Sequence, residues 1–305
     1  MRVCLLAGGT GGAKLAAGLD AILAPGDLTV IANTADDVEM WGLHISPDVD
    51  AVLYRLAGIF NEKTGFGIED DSGAVLNMMK RLGEPDWFWL GDKDLAVNIL
   101  RTRLLHEGLR HSEICLELCA RLGLGSVVLP MSDDPVRTWF ETSLGRLPFQ
   151  EYFVRERSRP EVHRVGFEGI DLALPGPEAA AALEQADLVV VGPSNPLVSI
   201  DPIMRVLAEH IRPPNTIVIS PIVGGVALKG PTVEMMRSTG RTPTPTGVAE
   251  GYQGRAAAFM LDTQDAAEAG AIAALGYRVT VADTVMNSPE RACEVAAAVL
   301  SAAPF

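Results

Sequence analysis

Several features that define specialised protein classes are scarce or missing here. Aromatic residues make up 6% and cysteines number four in 305 residues, too few for a disulfide-stapled scaffold. Basic residues are in deficit, with 25 Lys and Arg against 39 Asp and Glu. The resulting net charge of −14 weakens the attraction to phosphate backbones that general nucleic-acid binding needs. The apolar run at the start, Met1 to Ala7, is cut off by Gly8 to Gly12, short of a secretory leader or a spanning helix. We therefore expect a cytoplasmic protein without membrane or nucleic-acid partners. There is no heptad array and no internal repeat. Cys115 and Cys119 are spaced i, i+4, but no nearby Cys or His completes a zinc set; with Cys4 and Cys293 they read as thiols of a reducing compartment. What remains is a globular composition, 48% hydrophobic and 21% charged, on a chain that should bury roughly 75% of its unfolded surface.

Four short apolar runs, Arg2–Ala7, Leu28–Ala32, Asp187–Gly192 and Thr216–Ser220, do not alternate, and each is followed by Gly, Asn, Pro or Ser. That is the pattern of parallel strands buried on both faces. Ser126–Pro130 and Tyr277–Ala282 read as further strands, each preceded by a helical stretch, 112–122 and 263–275. Strand and helix alternate, so the expected class is α/β, a Rossmann-like, mainly parallel sheet flanked by helices. We expect one domain over 1–305, with a core of about 1–50 and 124–305. Helical patterns at 51–56, 74–82, 95–107 and 112–122 make residues 51–123 a helical insertion. Phe149–Arg155 reads as a strand, and Ser238–Thr246, rich in Thr and Pro, as a loop or mobile lid.

The first strand runs into Gly8-Gly9-Thr10-Gly11-Gly12-Ala13-Lys14 and then a helix, Leu15–Leu23. Such a loop lets backbone N–H groups approach a phosphate, and the helix N-terminus adds about half a positive charge. The spacing is neither a P-loop nor a complete G-x-G-x-x-G, and a tight turn without ligand is the alternative. Lys14 in a first helical turn opposes the helix dipole, which a phosphate partner would explain. The second strand ends in Asn33-Thr-Ala-Asp36-Asp37, and Pro47-Asp48-Val-Asp50 follows. Four carboxylates at that sheet edge would repel one another unless a divalent cation or hydroxyl donors offset them; the alternative makes Asp48 or Asp50 a helix cap.

Trp87-Phe-Trp89 beside Gly91-Asp92-Lys93-Asp94 could stack a planar heterocycle or form a solvated loop over buried rings. Ser132-Asp-Asp134 with Arg137, and Arg155, Arg157 and Arg159, decide nothing alone. Gly192-Pro-Ser194-Asn195-Pro196, and Ser220–Gly225 with Lys229, follow strands at the same edge as the glycines. Three such loops together argue for a nucleotide. His44, His106, His111, His163 and His210 are scattered, and His106 and His111, on helical stretches, read as solvated or satisfied. No Ser-His-Asp or Cys-His arrangement supports covalent catalysis.

Taken with Ser46–Tyr54, Leu90–Ala96, Pro130–Asp133 and Gly192–Ile200, these motifs resemble, in order and spacing, the 2-phospho-L-lactate transferase family of deazaflavin (coenzyme F420) biosynthesis, from Val3 to about Leu300. The resemblance implies a homodimer that moves a phospho-acyl unit, 2-phospholactate or phosphoenolpyruvate, from a guanosine diphosphate-linked donor to the ribityl hydroxyl of the deazaflavin Fo, releasing GMP. By motif, Asp50 and Lys93 look like Fo contacts and Asp36, Asp48 and Asp50 like an Mg2+ cluster. Asp50 and Asp36 are the candidate catalytic carboxylates. Gly8, Gly9, Thr10, Gly11, Gly12, Lys14, Ser194, Asn195 and Pro196 look like the nucleotide side. Ala16 and Ala17 stand where the family often has a bulkier residue. The rival readings are a non-catalytic nucleotide-sugar-binding regulator of the same fold and, last, a nicotinamide dehydrogenase.

Overall fold

Apolar runs that do not alternate fold here into strands covered on both faces. The computed structural model describes residues 1–227 and 230–304. Its elements begin with β1 (Val3–Ala7), α1 (Gly9–Ile22), β2 (Leu28–Ala32), β3 (Val38–Met40), β4 (Leu43–Ile45), α2 (Pro47–Leu56), α3 (Ala74–Arg81), α4 (Asp92–His106) and α5 (His111–Arg121). They continue with β5 (Val127–Pro130), β6 (Arg137–Thr142), β7 (Gly145–Pro148), β8 (Val162–Glu168), α6 (Pro177–Gln185), β9 (Leu188–Val191) and α7 (Asp201–Val206). The last part holds β10 (Thr216–Ile219), β11 (Ile222–Val223), β12 (Val226–Ala227), α8 (Thr232–Ser238), α9 (Pro245–Gly251), β13 (Ala258–Asp262), α10 (Ala269–Ala274), β14 (Arg278–Ala282) and α11 (Pro289–Ser301).

Seven strands pair in parallel in the order β14-β13-β10-β9-β1-β2-β5. The chain order reverses beside β1, flanked by β2 and β9, and such a switch opens a crevice at the carboxyl ends of the strands. Alternate residues face opposite layers. Val3, Leu5, Val190 and Ile217 pack with Leu15 and Leu19 of α1 and Val295 and Val299 of α11. Cys4, Leu6, Val189 and Val218 pack with Leu183 of α6, Ile203 of α7 and Phe140 of β6.

The four helices expected between 51 and 123 are present, and most of their buried apolar residues join the main core, while Leu95 of α4 packs in a small cluster of its own with Met40, Ile45, Phe88 and Leu90. Val52, Leu53, Leu104, Ile114 and Leu118 join the same cluster as α1 and α11. The β3–β4 hairpin was not legible in the sequence; its strands are three residues each, joined by Trp41 at φ 53° and Gly42 at φ 74°. Phe149–Arg155 is not a strand: Glu151–Arg155 forms one π-helical turn, because Tyr152 packs its ring 4.4 Å from that of Phe140. The helix expected from Leu15 starts earlier, at Gly9. The expected lid is partly helical and anchored, with Ser238 ending α8, Pro245 opening α9 and Arg241 paired to Asp201 at 2.8 Å. Among the described residues, no helix is long and apolar enough to cross a membrane.

Candidate functional site

The crevice between β1 and β9 is closed by glycines that admit the chain's own atoms. A Cβ on Gly8 would lie 2.3 Å from the Ser199 Cβ and 2.9 Å from Asp48 Oδ2; one on Gly11 would lie 2.3 Å from the Pro193 carbonyl oxygen. Gly9 sits at φ +56°, a conformation other residues rarely adopt. Ser194 accepts from the Gly8 amide at 3.1 Å and donates to its carbonyl at 2.6 Å. Asn195 accepts from the Leu197 amide at 3.0 Å, capping the turn that Pro196 opens. Lys14 lies in the second turn of α1, where its Nζ donates to the Met286 carbonyl at 2.8 Å. The residues expected to meet the nucleotide thus line one edge, with Thr10 beside them, while several of their polar atoms hold the loops in place. Of the third loop, Gly224 donates to Asp265 at 2.9 Å; Lys229 lies outside the described residues.

The carboxylates divide into three environments. Asp36 and Asp48 are buried together. Asp36 accepts from the Thr138 hydroxyl at 3.2 Å, and burial followed by the charge of Asp48 pushes its carboxyl well above the usual range. Asp48, in the first turn of α2, accepts from the Asn33 amide at 3.0 Å, and burial pushes it up to about 6 against the donors Asn33 and Gly9. Two buried carboxylates in this state are what a divalent oxygen-seeking cation would relieve, so the pair fits Mg2+. Asp37 has other partners, although its charge still adds to the rise of Asp36 and Asp48: burial opposes its own charge, but His44 at 2.9 Å and Ser46 at 2.7 Å hold it below the usual range.

Asp50, the third residue of the expected metal cluster, has a cation beside it, and the charge of Asp37 also reaches it. Both of its oxygens accept from the Arg101 guanidinium, and Arg101, fully buried, also donates to Asn98 at 2.6 Å. Arg101 was missed in the sequence, although Asp94, Asn98 and Arg101 form a polar stripe at helical spacing along α4. Tyr54 donates to Asp94 at 2.7 Å, and burial followed by the charge of Asp50 pushes Asp94 up to about 6.

Lys93 is exposed on the first turn of α4, its Nζ donating to the Glu69 carbonyl at 2.8 Å. The polar turn beside it is a pair of reciprocal caps: Asp71 accepts from the amides of Lys93 and Asp94, and Asp92 from those of Ala74 and Val75. Next to these caps is a cavity of about 330 Å³ lined by Asn61, Phe66, Ile68, Asp71, Trp89 and Gly91. Trp89 is 46% exposed there, so aromatic surface is available to a planar group. Asp133 accepts from Ser112 and Arg110 at the start of α5.

The family model of the 2-phospho-L-lactate transferase CofD matches residues 3–291. A 2-phospho-L-lactate transferase of Methanosarcina mazei is 36% identical, covering 98% of this chain and 99% of its own; one from Methanopyrus kandleri is 38% identical over 98% and 97%. A phosphoenolpyruvate transferase of Kitasatospora aureofaciens is 35% identical over 99% and 98%. A solved protein of the UPF0052 family from Bacillus halodurans shares the fold, with a TM-score of 0.64 at 17% identity over 98% of each chain. With the parallel sheet, the glycine turn and the Asp36–Asp48 pair in place, the chain belongs to the 2-phospho-L-lactate transferase family.

Proposed function

We propose that this protein transfers a phospho-acyl unit, 2-phospholactate or phosphoenolpyruvate, from a guanosine diphosphate-linked donor to the ribityl hydroxyl of the deazaflavin Fo, releasing GMP, in coenzyme F420 biosynthesis. The observation that carries this reading is the buried Asp36–Asp48 pair beside the glycine turn at the sheet's switch point. Asp36 and Asp48 would hold Mg2+, which supplies neutralisation of charge on the departing phosphate. In this reading the Gly8–Gly12 amides and the Ser194–Pro196 loop receive the donor's nucleotide end. The cavity between Phe66 and Trp89 receives the flat ring of the acceptor, next to Lys93, whose amide donates to Asp71 of the cavity wall.

Phosphoryl transfer asks mainly for positioning and charge stabilisation. The acceptor oxygen bonds to phosphorus as the bond to GMP breaks, and the hydroxyl proton passes to a carboxylate of the set, for preference Asp50. Arg101 keeps Asp50 in a single orientation for this task. The protein is further proposed to be cytoplasmic and a homodimer; Val75, Met78 and Leu82, at i, i+3 and i+7 on α3 and its cap, are 44%, 50% and 70% exposed and offer an apolar face.

The test is incubation with Fo, Mg2+ and each guanosine diphosphate-linked donor in turn, with GMP and product followed by mass spectrometry. GMP matched by an Fo adduct supports the reading and identifies the donor. Tight nucleotide-sugar binding without turnover would place the protein with non-catalytic regulators.

A further inference from the structure

We propose that Asp37, His44 and His111 form a second cation site, one for a divalent transition metal and by ligand chemistry Zn2+, distinct from the Asp36–Asp48 pair. The three residues come from different elements: Asp37 follows β2, His44, seven residues on, is the middle residue of β4, and His111 opens α5. The fold brings a carboxylate oxygen of Asp37 and one ring nitrogen of each histidine within 4.8 Å of one another. The two imidazoles meet edge to face with centroids 5.2 Å apart, and His44 Nε2 lies 2.9 Å from Asp37 Oδ2. Ligands about 2.0–2.1 Å from a tetrahedral zinc sit roughly 3.3 Å apart, so a small outward movement admits the ion.

A second observation points to a ligand. His111 is 6% exposed, and its buried Nε2 has no hydrogen-bond partner, a costly condition that native interiors rarely leave uncompensated. Burial also holds this imidazole neutral, with its pKa lowered to about 3, and the neutral ring is the form that ligates. On the far side of the carboxylate, Ser46 donates to Asp37 Oδ1 at 2.7 Å and fixes its orientation, as an outer partner of a metal ligand does. Two imidazoles and a carboxylate suit zinc, whereas magnesium prefers oxygen donors throughout. Three protein ligands leave a fourth position for water. The ion would tie the β3–β4 hairpin to the start of α5. This inference stands apart from the transfer reaction and holds or fails whichever donor is used.

The experiment strips the full-length protein with a chelator, then titrates Co2+ by visible absorption and Zn2+ by calorimetry, with circular dichroism to verify folding of each variant. The expected result is one ion per chain, with affinity reduced about tenfold or more in His44→Gln and His111→Gln and retained in Asp36→Asn. His44 is only half-buried, so His44→Gln decides the matter where His111→Gln fails to fold. The proposal is overturned by absence of binding in the wild type, by unchanged affinity in the folded histidine variants, or by loss in Asp36→Asn equal to theirs.

Discussion

The Ser194 hydroxyl engages Gly8 twice, donating to its carbonyl at 2.6 Å and accepting from its amide at 3.1 Å. The two residues are 186 positions apart in sequence, and one side chain thereby joins the ends of β1 and β9 where the sheet changes direction. Ser194→Ala leaves both buried backbone groups without this partner and should lower unfolding free energy by about 1–3 kcal/mol. Urea denaturation measures it; no change in midpoint would mean that neighbouring atoms take over both bonds.

Gly8→Ala tests the close approach at the same turn. Its Cβ would meet Ser199 at 2.3 Å, and Ser199 is buried in the π-helical turn Pro196–Ile200, with little room to yield. We expect a loss of about 1–3 kcal/mol or more, together with reduced turnover from displacement of Asp48. A thermal midpoint equal to wild type would show that this turn gives way freely.

Arg101→Met removes the partner of a buried carboxylate, and such an uncompensated charge costs about 3–5 kcal/mol. Asp50→Leu in the same chain should restore much of the stability without restoring turnover. Equal instability of single and double variants, read by denaturant unfolding, would show that Arg101 acts through packing alone.

Asp94 gives a pH dependence with a defined sign. Its folded pKa, raised from 3.8 to about 6 by burial and then by the charge of Asp50, means the folded state binds the proton more tightly than the unfolded chain. The associated stability is therefore present below about pH 4 and is lost as pH rises through 6. Asp94→Asn should be more stable than wild type at pH 8, by at most about 3 kcal/mol, and should show no such advantage at pH 4. Unfolding curves at the two pH values decide; an equal difference at both would remove Asp94 as the source.

Asp36→Asn leaves a polar group of the same size facing Thr138, so folding should persist, while turnover with Mg2+ and Fo should fall by about 10²-fold or more. Near-normal turnover would take Asp36 out of the reaction.

How much of this was legible in the sequence depended on the distance over which each feature is encoded. Six strands of the parallel sheet were readable, five because Val, Ile and Leu run together and end at Gly, Asn, Pro or Ser, and Arg278–Ala282 because a β-branched stretch follows a helical one. The seventh, Ala258–Asp262, carries no β-branched residue and gave no such signal. Phe149–Arg155 has the aromatic and β-branched composition of a strand, but the contact of Tyr152 with Phe140 turned it into a helical turn, tertiary packing outweighing propensity.

By itself the sequence determined the α/β class, the glycine turn, the helices between 51 and 123 and the carboxylates that follow β2, because each is a local pattern of hydrophobicity, backbone freedom or charge. Only the tertiary structure decided which of those carboxylates share an environment. Asp48 lies with Asp36 and Asp50 with Arg101, while Asp37 faces His44 and His111. Asp48 and Asp50 are two residues apart in one helix turn and therefore point in different directions. Their partners come from the turn after β2 and from α4, segments whose positions follow from the tertiary packing and not from any neighbouring residue.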